Sequence, residues 1–65
     1  MITINGKTVS DSEEITLEEL IVRQNFVKSR IAVEINGSII SKKEYETTKV
    51  RDGDVVEVVS FVGGG

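Results

Sequence analysis

Residues 55–65, VVEVVSFVGGG, decide the fold, and they divide into two parts with different physical properties. The first part is rich in β-branched residues and carries one acid, Glu57, which is typical of a strand buried on both faces at the centre of a sheet. The second part is three glycines, which lack a Cβ atom and lose the most conformational entropy on ordering. We therefore predict a folded domain over residues 1–62 and a flexible C-terminal tail over residues 63–65.

The glycine tail has two interpretations when it is considered alone. It could be a frayed end or a remnant of cloning, or it could be a slim carboxylate-bearing segment that enters a narrow enzyme pocket. Glycines pass where any Cβ atom would clash, and three extended residues span about 10 Å. The glycines by themselves favour the first interpretation, so the rest of the chain has to decide.

Composition limits the possible functions. A chain of 65 residues forms one domain. It contains no cysteine and no histidine, which removes the commonest nucleophile, general base and transition-metal ligands. We therefore expect no catalytic residues, no metal and no cofactor bound by this chain, and a protein that is not an enzyme.

Charge and hydropathy predict the class of partner and the cellular location of the protein. Eleven acidic against eight basic residues give a net charge of −3 and a pI near 4.8, which disfavours nucleic acid and suits a partner with a basic docking surface. No apolar run approaches the length of a membrane span, and no signal peptide is visible. We therefore expect a cytoplasmic monomer.

Local signals predict two hairpins and a further turn. Asn-Gly pairs at residues 5–6 and 36–37 each follow an alternating apolar segment, and this dipeptide is the strongest two-residue hairpin signal. The first hairpin is predicted over residues 1–10 and is followed by a polar loop at residues 11–14. The sequence Asp-Gly-Asp at residues 52–54 predicts the third turn.

Two helical segments are predicted between the strands. The clear helix covers residues 15–26, with a capping box formed by Thr16 and Glu19, and with an apolar face. Asn25 is expected to end it in a left-handed conformation, with Phe26 folding back on the helix. A single helical turn is predicted at residues 42–46. This turn begins with a capping box of Ser41 and Glu44. The core residues are expected to be Leu17, Leu20 and Ile21 of the long helix and Tyr45 of the turn.

The order of elements predicts an α+β fold. Strand, strand, helix, strand, strand, helical turn and strand place one main helix on one face of a mixed sheet of about five strands. This is the β-grasp, or ubiquitin-like, arrangement. The sheet face away from the helix should be partly exposed, and apolar residues there are candidates for partner docking. We expect Val59, Phe61 and Val62 to belong to such a docking surface, provided that Phe61 is exposed; the alternative for Phe61 is packing at the edge of the core.

Three motifs in this order resemble a known family. The sequences VEING at residues 33–37, DGDVVE at residues 52–57 and FVGGG at residues 61–65 are similar to those of ThiS, the bacterial sulfur carrier family of thiamin biosynthesis. The resemblance runs from residue 1 to residue 65. This chain departs from the family pattern at three positions: Asn25 where Gly is frequent, Ser41 where Pro is common and Tyr45 where Trp is common. Each residue can play the same local structural part as the one it replaces, so the predicted fold is unchanged.

The resemblance implies a mechanism. An E1-like partner enzyme uses ATP to adenylate the carboxylate of Gly65, a persulfide donor supplies sulfur, and the resulting thiocarboxylate gives its sulfur to a thiazole synthase. Gly63, Gly64 and Gly65 would then form the tail that enters the partner's channel. The activating site and its ATP belong to the partner, which is consistent with the lack of catalytic residue types in this chain.

Three alternative functions remain open at the level of the residues. One is the small subunit of molybdopterin synthase, or a related carrier for another sulfur-transfer pathway. The second is a ubiquitin-like modifier that is joined to lysines by an isopeptide bond. The third is a β-grasp binding module without covalent chemistry, in which the glycines are only a frayed end.

Overall fold

The computed structural model describes residues 1–9 and 14–61. The polar loop predicted around residues 11–13 and the glycine tail at residues 63–65 lie outside the described residues, as does Val62. The predicted boundary between domain and tail therefore stays a prediction.

The described residues form seven strands, one α-helix and two 3₁₀ turns. The longest strand is the last one, and it follows directly on the Asp-Gly-Asp turn. The elements are β1 (Ile2–Ile4), β2 (Lys7–Val9), β3 (Ile15–Thr16), α1 (Leu17–Arg23), a 3₁₀ turn (Lys28–Arg30), β4 (Ile31–Ile35), β5 (Ser38–Ile40), a 3₁₀ turn (Lys42–Glu44), β6 (Lys49–Val50) and β7 (Val55–Ser60).

Five of the strands form one mixed sheet in the order β2-β1-β7-β4-β5. The central strand β7 runs parallel to β1 and antiparallel to β4. The two hairpins, β1–β2 and β4–β5, flank it and are antiparallel. With α1 packed on one face, this is the predicted α+β, β-grasp arrangement, and the predicted central position of the last strand is confirmed.

A second, two-stranded sheet was not predicted from the sequence. Ile15 pairs with Val50 and Thr16 with Lys49 in antiparallel register. No strand is predicted for residues 47–51, yet they contain β6. Two-residue strands show no alternation, so no sequence signal distinguishes them from a loop.

The helix is shorter at both ends than the predicted range of residues 15–26, because it covers only Leu17–Arg23. Half of the predicted capping box forms. The hydroxyl of Thr16 accepts a hydrogen bond from the amide of Glu19 at 3.2 Å. The Glu19 carboxylate accepts instead from the guanidinium of Arg23, one turn later, at 2.7 Å.

The end of the helix follows the prediction. Asn25 has φ of 63°, the left-handed conformation. The amide of Phe26 donates to the carbonyl of Ile21 and the amide of Asn25 donates to that of Val22, both at 3.0 Å. This pair of bonds is the Schellman motif, which satisfies carbonyls that have no partner inside the helix.

The two Asn-Gly turns have the backbone geometry that their sequence demands. In the first, φ is 49° at Asn5 and 81° at Gly6; in the second, it is 51° at Asn36 and 87° at Gly37. Positive φ at both central positions gives a turn whose twist matches that of the flanking strands. Both predicted hairpins are therefore confirmed.

The asparagine side chains of these two turns also form hydrogen bonds to the central strand, β7. The Asn5 side chain donates to the carbonyl of Val58 at 3.1 Å and accepts from the Val58 amide at 2.8 Å. At the start of β7, the Asn36 side chain accepts from the amide of Val55 at 2.9 Å and donates to the Asp54 carboxylate at 3.1 Å. Each hairpin turn therefore contributes hydrogen bonds to a strand that is distant in sequence.

The core lies between α1 and one face of the sheet. Along β7, Val56 and Val58 are buried against it, while Val55 and Val59 are exposed on the opposite face. The prediction of a strand buried on both faces is therefore wrong, because a domain of this size has a single layer of helix to cover the sheet. The buried residues are Ile2, Ile4, Ile15, Leu17, Leu20, Ile21, Ile31, Val33, Tyr45, Val50, Val56 and Val58.

The predicted packing of Tyr45 on the core is confirmed, since the residue is fully buried. The turn that carries it is a 3₁₀ turn over Lys42–Glu44, shorter than the predicted residues 42–46. Its capping box is replaced by a hydrogen bond in which the Ser41 hydroxyl donates to the Glu44 carboxylate at 3.1 Å.

The Tyr45 side chain is fully buried but carries a polar atom without a hydrogen-bond partner. Its hydroxyl is buried and has no hydrogen-bond partner in the part of the chain that the structure describes. The ammonium of Lys28 lies 5.3 Å from the ring centroid and is paired with Glu18 at 2.8 Å. Burial raises the pKa of the Tyr45 hydroxyl, against the opposing effect of the Lys28 charge.

We predict that Asn5→Gly lowers the free energy of unfolding by about 2 kcal/mol, because both backbone groups of Val58 lose their partner. Glycine accepts the positive φ, so the loss measures the side-chain bonds and not backbone strain. Asn25→Gly is the matched control. Asn25 has a similar φ and no side-chain hydrogen bond to the described residues, so chemical denaturation should show a change within about 0.5 kcal/mol. Equal effects of the two variants would contradict the proposed role of Asn5.

We predict that Tyr45→Phe leaves the free energy of unfolding at neutral pH unchanged or raises it by about 1 kcal/mol, because it removes a buried polar atom that has no partner. Chemical denaturation measures this. A loss above about 1 kcal/mol would show that the hydroxyl has a partner in the folded protein.

The free energies of unfolding of wild type and Tyr45→Phe should differ more in alkaline solution than at neutral pH. The unfolded chain releases the tyrosine proton near the ordinary pKa of about 10, whereas the folded chain retains it to higher pH. The wild-type free energy of unfolding should therefore fall as pH rises above about 10. Because lysines also titrate there, the measured quantity is the stability difference between Tyr45→Phe and wild type. This difference should grow with pH; a constant difference would contradict the raised pKa.

Candidate functional site: the exit of the central strand

The candidate site begins where β7 leaves the sheet. The amide of Phe61 donates to the carbonyl of Arg30 at 2.8 Å, which extends the pairing with the β4 side by one residue beyond Ser60. The backbone is therefore fixed to the sheet as far as Phe61. Val62, a predicted docking residue, and residues 63–65, the tail that the resemblance assigns to chemistry, follow this anchor directly in the sequence.

Two of the three predicted docking residues lie exposed near this exit. Phe61 is 52% exposed and Val59 is 59% exposed. The ammonium of Lys42 lies 5.3 Å from the centroid of the Phe61 ring, a cation–π geometry that orients the ring without burying it. Exposure was the condition for a docking role of Phe61, and this condition is met. The contact of these residues with a partner stays a prediction, and Val62 lies outside the described residues.

The predicted reactive residues also lie outside the described part of the chain. These are Gly63, Gly64 and Gly65. Their roles as channel-entering tail and as modified carboxylate stay predictions. What the structure contributes is the anchor that precedes them and the surface around it.

The sheet face away from the helix is exposed, as expected, and it is more apolar than the sequence analysis recognised. Ile39 on β5 is 77% exposed, and Val55 and Val59 on β7 share its face. Ile39 was missed, although the two-residue turn at residues 36–37 fixes the hairpin register and places Ile39 opposite Glu34.

Two acids on the same face were also missed. Glu34 of β4 lies directly opposite Glu57 of β7. Each is visible in the alternation of its own strand, but their pairing depends on the register between strands that are distant in sequence. No local signal contains that register.

Residues 1–9 and 14–61 contain no cluster of three acids arranged to hold a metal ion. Among the same residues, no helix is long and apolar enough to cross a membrane.

Comparison with known proteins agrees with this geometry. The sequence model of the ThiS family matches residues 1–65. The sulfur carrier protein ThiS of Bacillus subtilis is 36% identical over 66 residues, which cover 100% of both chains. A thiazole synthase of Paramagnetospirillum magneticum is 38% identical over 64 residues, which are 98% of this chain and 20% of that protein.

A solved structure extends the agreement to the fold. The crystal structure of the thiamine biosynthesis protein ThiS from Geobacter metallireducens superimposes with a TM-score of 0.81 at 36% identity, covering 98% of this chain and 97% of that one. Fold and site thus define a β-grasp protein of the carrier type. The chain belongs to the ThiS family of sulfur carriers of thiamin biosynthesis, which confirms the resemblance and the predicted function.

We predict that Phe61→Ala weakens association with the adenylating partner and lowers the free energy of unfolding by less than about 1 kcal/mol, because the ring is half exposed. Truncation of a buried Phe costs about 3–5 kcal/mol. Binding is measured by calorimetric titration and stability by chemical denaturation. Val22→Ala is the control, since Val22 is exposed on the helix, away from the strand exit. A stability loss in the buried-Phe range would assign Phe61 to the core and contradict a docking role.

Proposed function

We propose that the protein carries sulfur on the carboxylate of Gly65 and that an E1-like partner activates this carboxylate with ATP. The carboxylate oxygen attacks the α-phosphate of ATP, pyrophosphate leaves, and an acyl-adenylate forms. This step is needed because a carboxylate is a poor electrophile until one of its oxygens becomes part of a good leaving group.

Sulfur then replaces oxygen in two balanced steps. The terminal sulfur of a donor persulfide attacks the acyl carbon, the bond to AMP breaks, and an acyl disulfide forms with the donor. A thiol next attacks the donor sulfur of this disulfide. The thiol and the donor become a disulfide, and the electron pair of the broken bond stays on the carrier as a thiocarboxylate.

A thiazole synthase is the proposed acceptor of this sulfur. The support is the match of the chain to one fifth of a thiazole synthase, which indicates a carrier-like segment within that protein's own length. A domain joined to an enzyme in one polypeptide has a high effective concentration at the active site. A carrier on a separate chain would reach the same active site through a docking surface.

The observation that carries the proposal is the family match, which reaches Gly65, combined with the anchor at Phe61. The last described backbone bond lies four residues before Gly65. Three of these four residues are glycines, so the segment past the anchor is slim enough for a channel in a partner enzyme.

The test is the intact mass of the chain after incubation with ATP, an E1-like adenylating enzyme of a ThiS pathway and a persulfide-bearing sulfur donor. We expect a gain equal to the replacement of one oxygen by sulfur, which fragmentation should locate at Gly65. Omission of ATP should abolish the gain. The Bacillus subtilis carrier serves as the positive control for the enzyme and the donor.

A variant that lacks residues 64–65 separates a carrier from a binding module. It should unfold at the same denaturant concentration as the full chain and gain no sulfur. An unmodified full-length chain, beside a modified Bacillus carrier, would contradict the proposal.

A further inference from the structure

The exposed face of the sheet has a charge arrangement that folding alone does not explain. Glu34 and Glu57 are directly opposite on antiparallel strands, so their Cβ atoms lie about 5 Å apart. Like charges in this position destabilise a sheet. Neither carboxylate has an ion-pair or hydrogen-bond partner among residues 1–9 and 14–61.

Several other acids of the described residues are paired with cations. Glu14 lies 2.9 Å from Arg51, Glu18 lies 2.8 Å from Lys28 and Glu19 lies 2.7 Å from Arg23. Glu34 and Glu57 lack such a cation and face each other on the sheet surface. The arrangement leaves a concentrated negative charge at one place.

Apolar side chains surround this charge on the same face. Ile39 lies opposite Glu34 on the side away from Glu57, so the three residues form one row across three strands. Val59 is opposite Ala32 in the next row of this face, and Val55 lies on the other side of the row. We call the set Glu34, Ile39, Val55, Glu57 and Val59 the acidic–apolar face.

Charge decides which occupant fits this face. A second copy of the chain packed face to face would bring four carboxylates together, which strongly disfavours association. A partner with an arginine among apolar residues would instead be complementary. The planar guanidinium offers five donors in a fork that two carboxylates can share, whereas the ammonium of lysine is a point charge.

We propose that the acidic–apolar face docks the adenylating partner and takes an arginine of that partner between Glu34 and Glu57. The face includes the strand that leads to Phe61, whose amide is bonded to the Arg30 carbonyl and which precedes residues 62–65 in the sequence. The adenylating enzyme must bind the tail first, before any sulfur can be transferred. The inference rests on the proposed function for the identity of the partner.

The test compares Glu34→Gln/Glu57→Gln with Glu46→Gln. Glu46 is an exposed acid outside the sheet, with no hydrogen bond or ion pair to the described residues. Calorimetric titration against the adenylating enzyme gives the affinity at low and high salt, and chemical denaturation gives the stability. Intact mass after sulfur loading at saturating enzyme concentration gives the chemical competence.

We expect the double variant to bind about tenfold more weakly than wild type at low salt, with a smaller decrease on adding salt. It should unfold at a higher denaturant concentration, because the repulsion between the acids is removed. A merely structural role could not move affinity and stability in opposite directions. The double variant should still gain sulfur at saturating enzyme, and Glu46→Gln should match wild type in every measurement.

Unchanged affinity of the double variant for an enzyme that loads the wild-type chain with sulfur would overturn this inference and leave the proposed function intact. A wild-type dimer that the double variant strengthens, with enzyme affinity unchanged, would assign the face to self-association and also overturn it. Failure of the wild-type chain to gain sulfur, beside a loaded Bacillus carrier, would instead remove the proposed function on which the inference rests.

Discussion

The fold depends on the hydrogen bonds that hold β7 between two hairpins. The strand is the last to be synthesised and pairs with the first and the fourth strands, so every one of its sheet contacts is distant in sequence. Such contacts require loop closure before they stabilise anything. The Asn5 side chain adds hydrogen bonds to Val58, inside this strand, and the Asn36 side chain adds one to Val55, at its start.

These asparagines perform two tasks at once. Each accepts the left-handed backbone of a tight turn, and the side-chain amide of each is hydrogen-bonded to the backbone of β7. Aspartate could adopt the turn but could not donate to a carbonyl, and glycine could adopt it but has no side chain. The requirement for both an acceptor and a donor at a positive φ explains the choice of Asn at these positions.

The sequence predicted the features that depend on neighbouring residues. Both Asn-Gly hairpins, the left-handed end of the helix at Asn25 and the packing of Tyr45 follow from local chemistry, and the order of elements then gave the β-grasp topology. The pairing of Ile15 with Val50, the clamp from Asn5 to Val58 and the opposition of Glu34 and Glu57 depend on register between distant strands. No local pattern contains that information.

In the candidate site, too, some features depend on neighbouring residues and others on the register between distant strands. Alternation along a single stretch of chain places Val59 and Phe61 on the same side, whereas the acidic–apolar face is assembled from three strands. The burial of β7 on both faces was overestimated, because apolar composition alone does not reveal that only one face has a helix to cover it. The residues that stay exposed for this reason are those available to a partner.

The central claim is that a rigid strand, fixed by side-chain clamps, supports a chemically active terminus without changing during the chemistry. Amide hydrogen exchange at Val58, measured in the free chain and in the chain loaded with sulfur, tests this most directly. The account predicts that this amide, bonded to Asn5, exchanges only through global unfolding and equally slowly in both forms. Exchange through a local opening well below the global free energy of unfolding, or a change on loading, would contradict it.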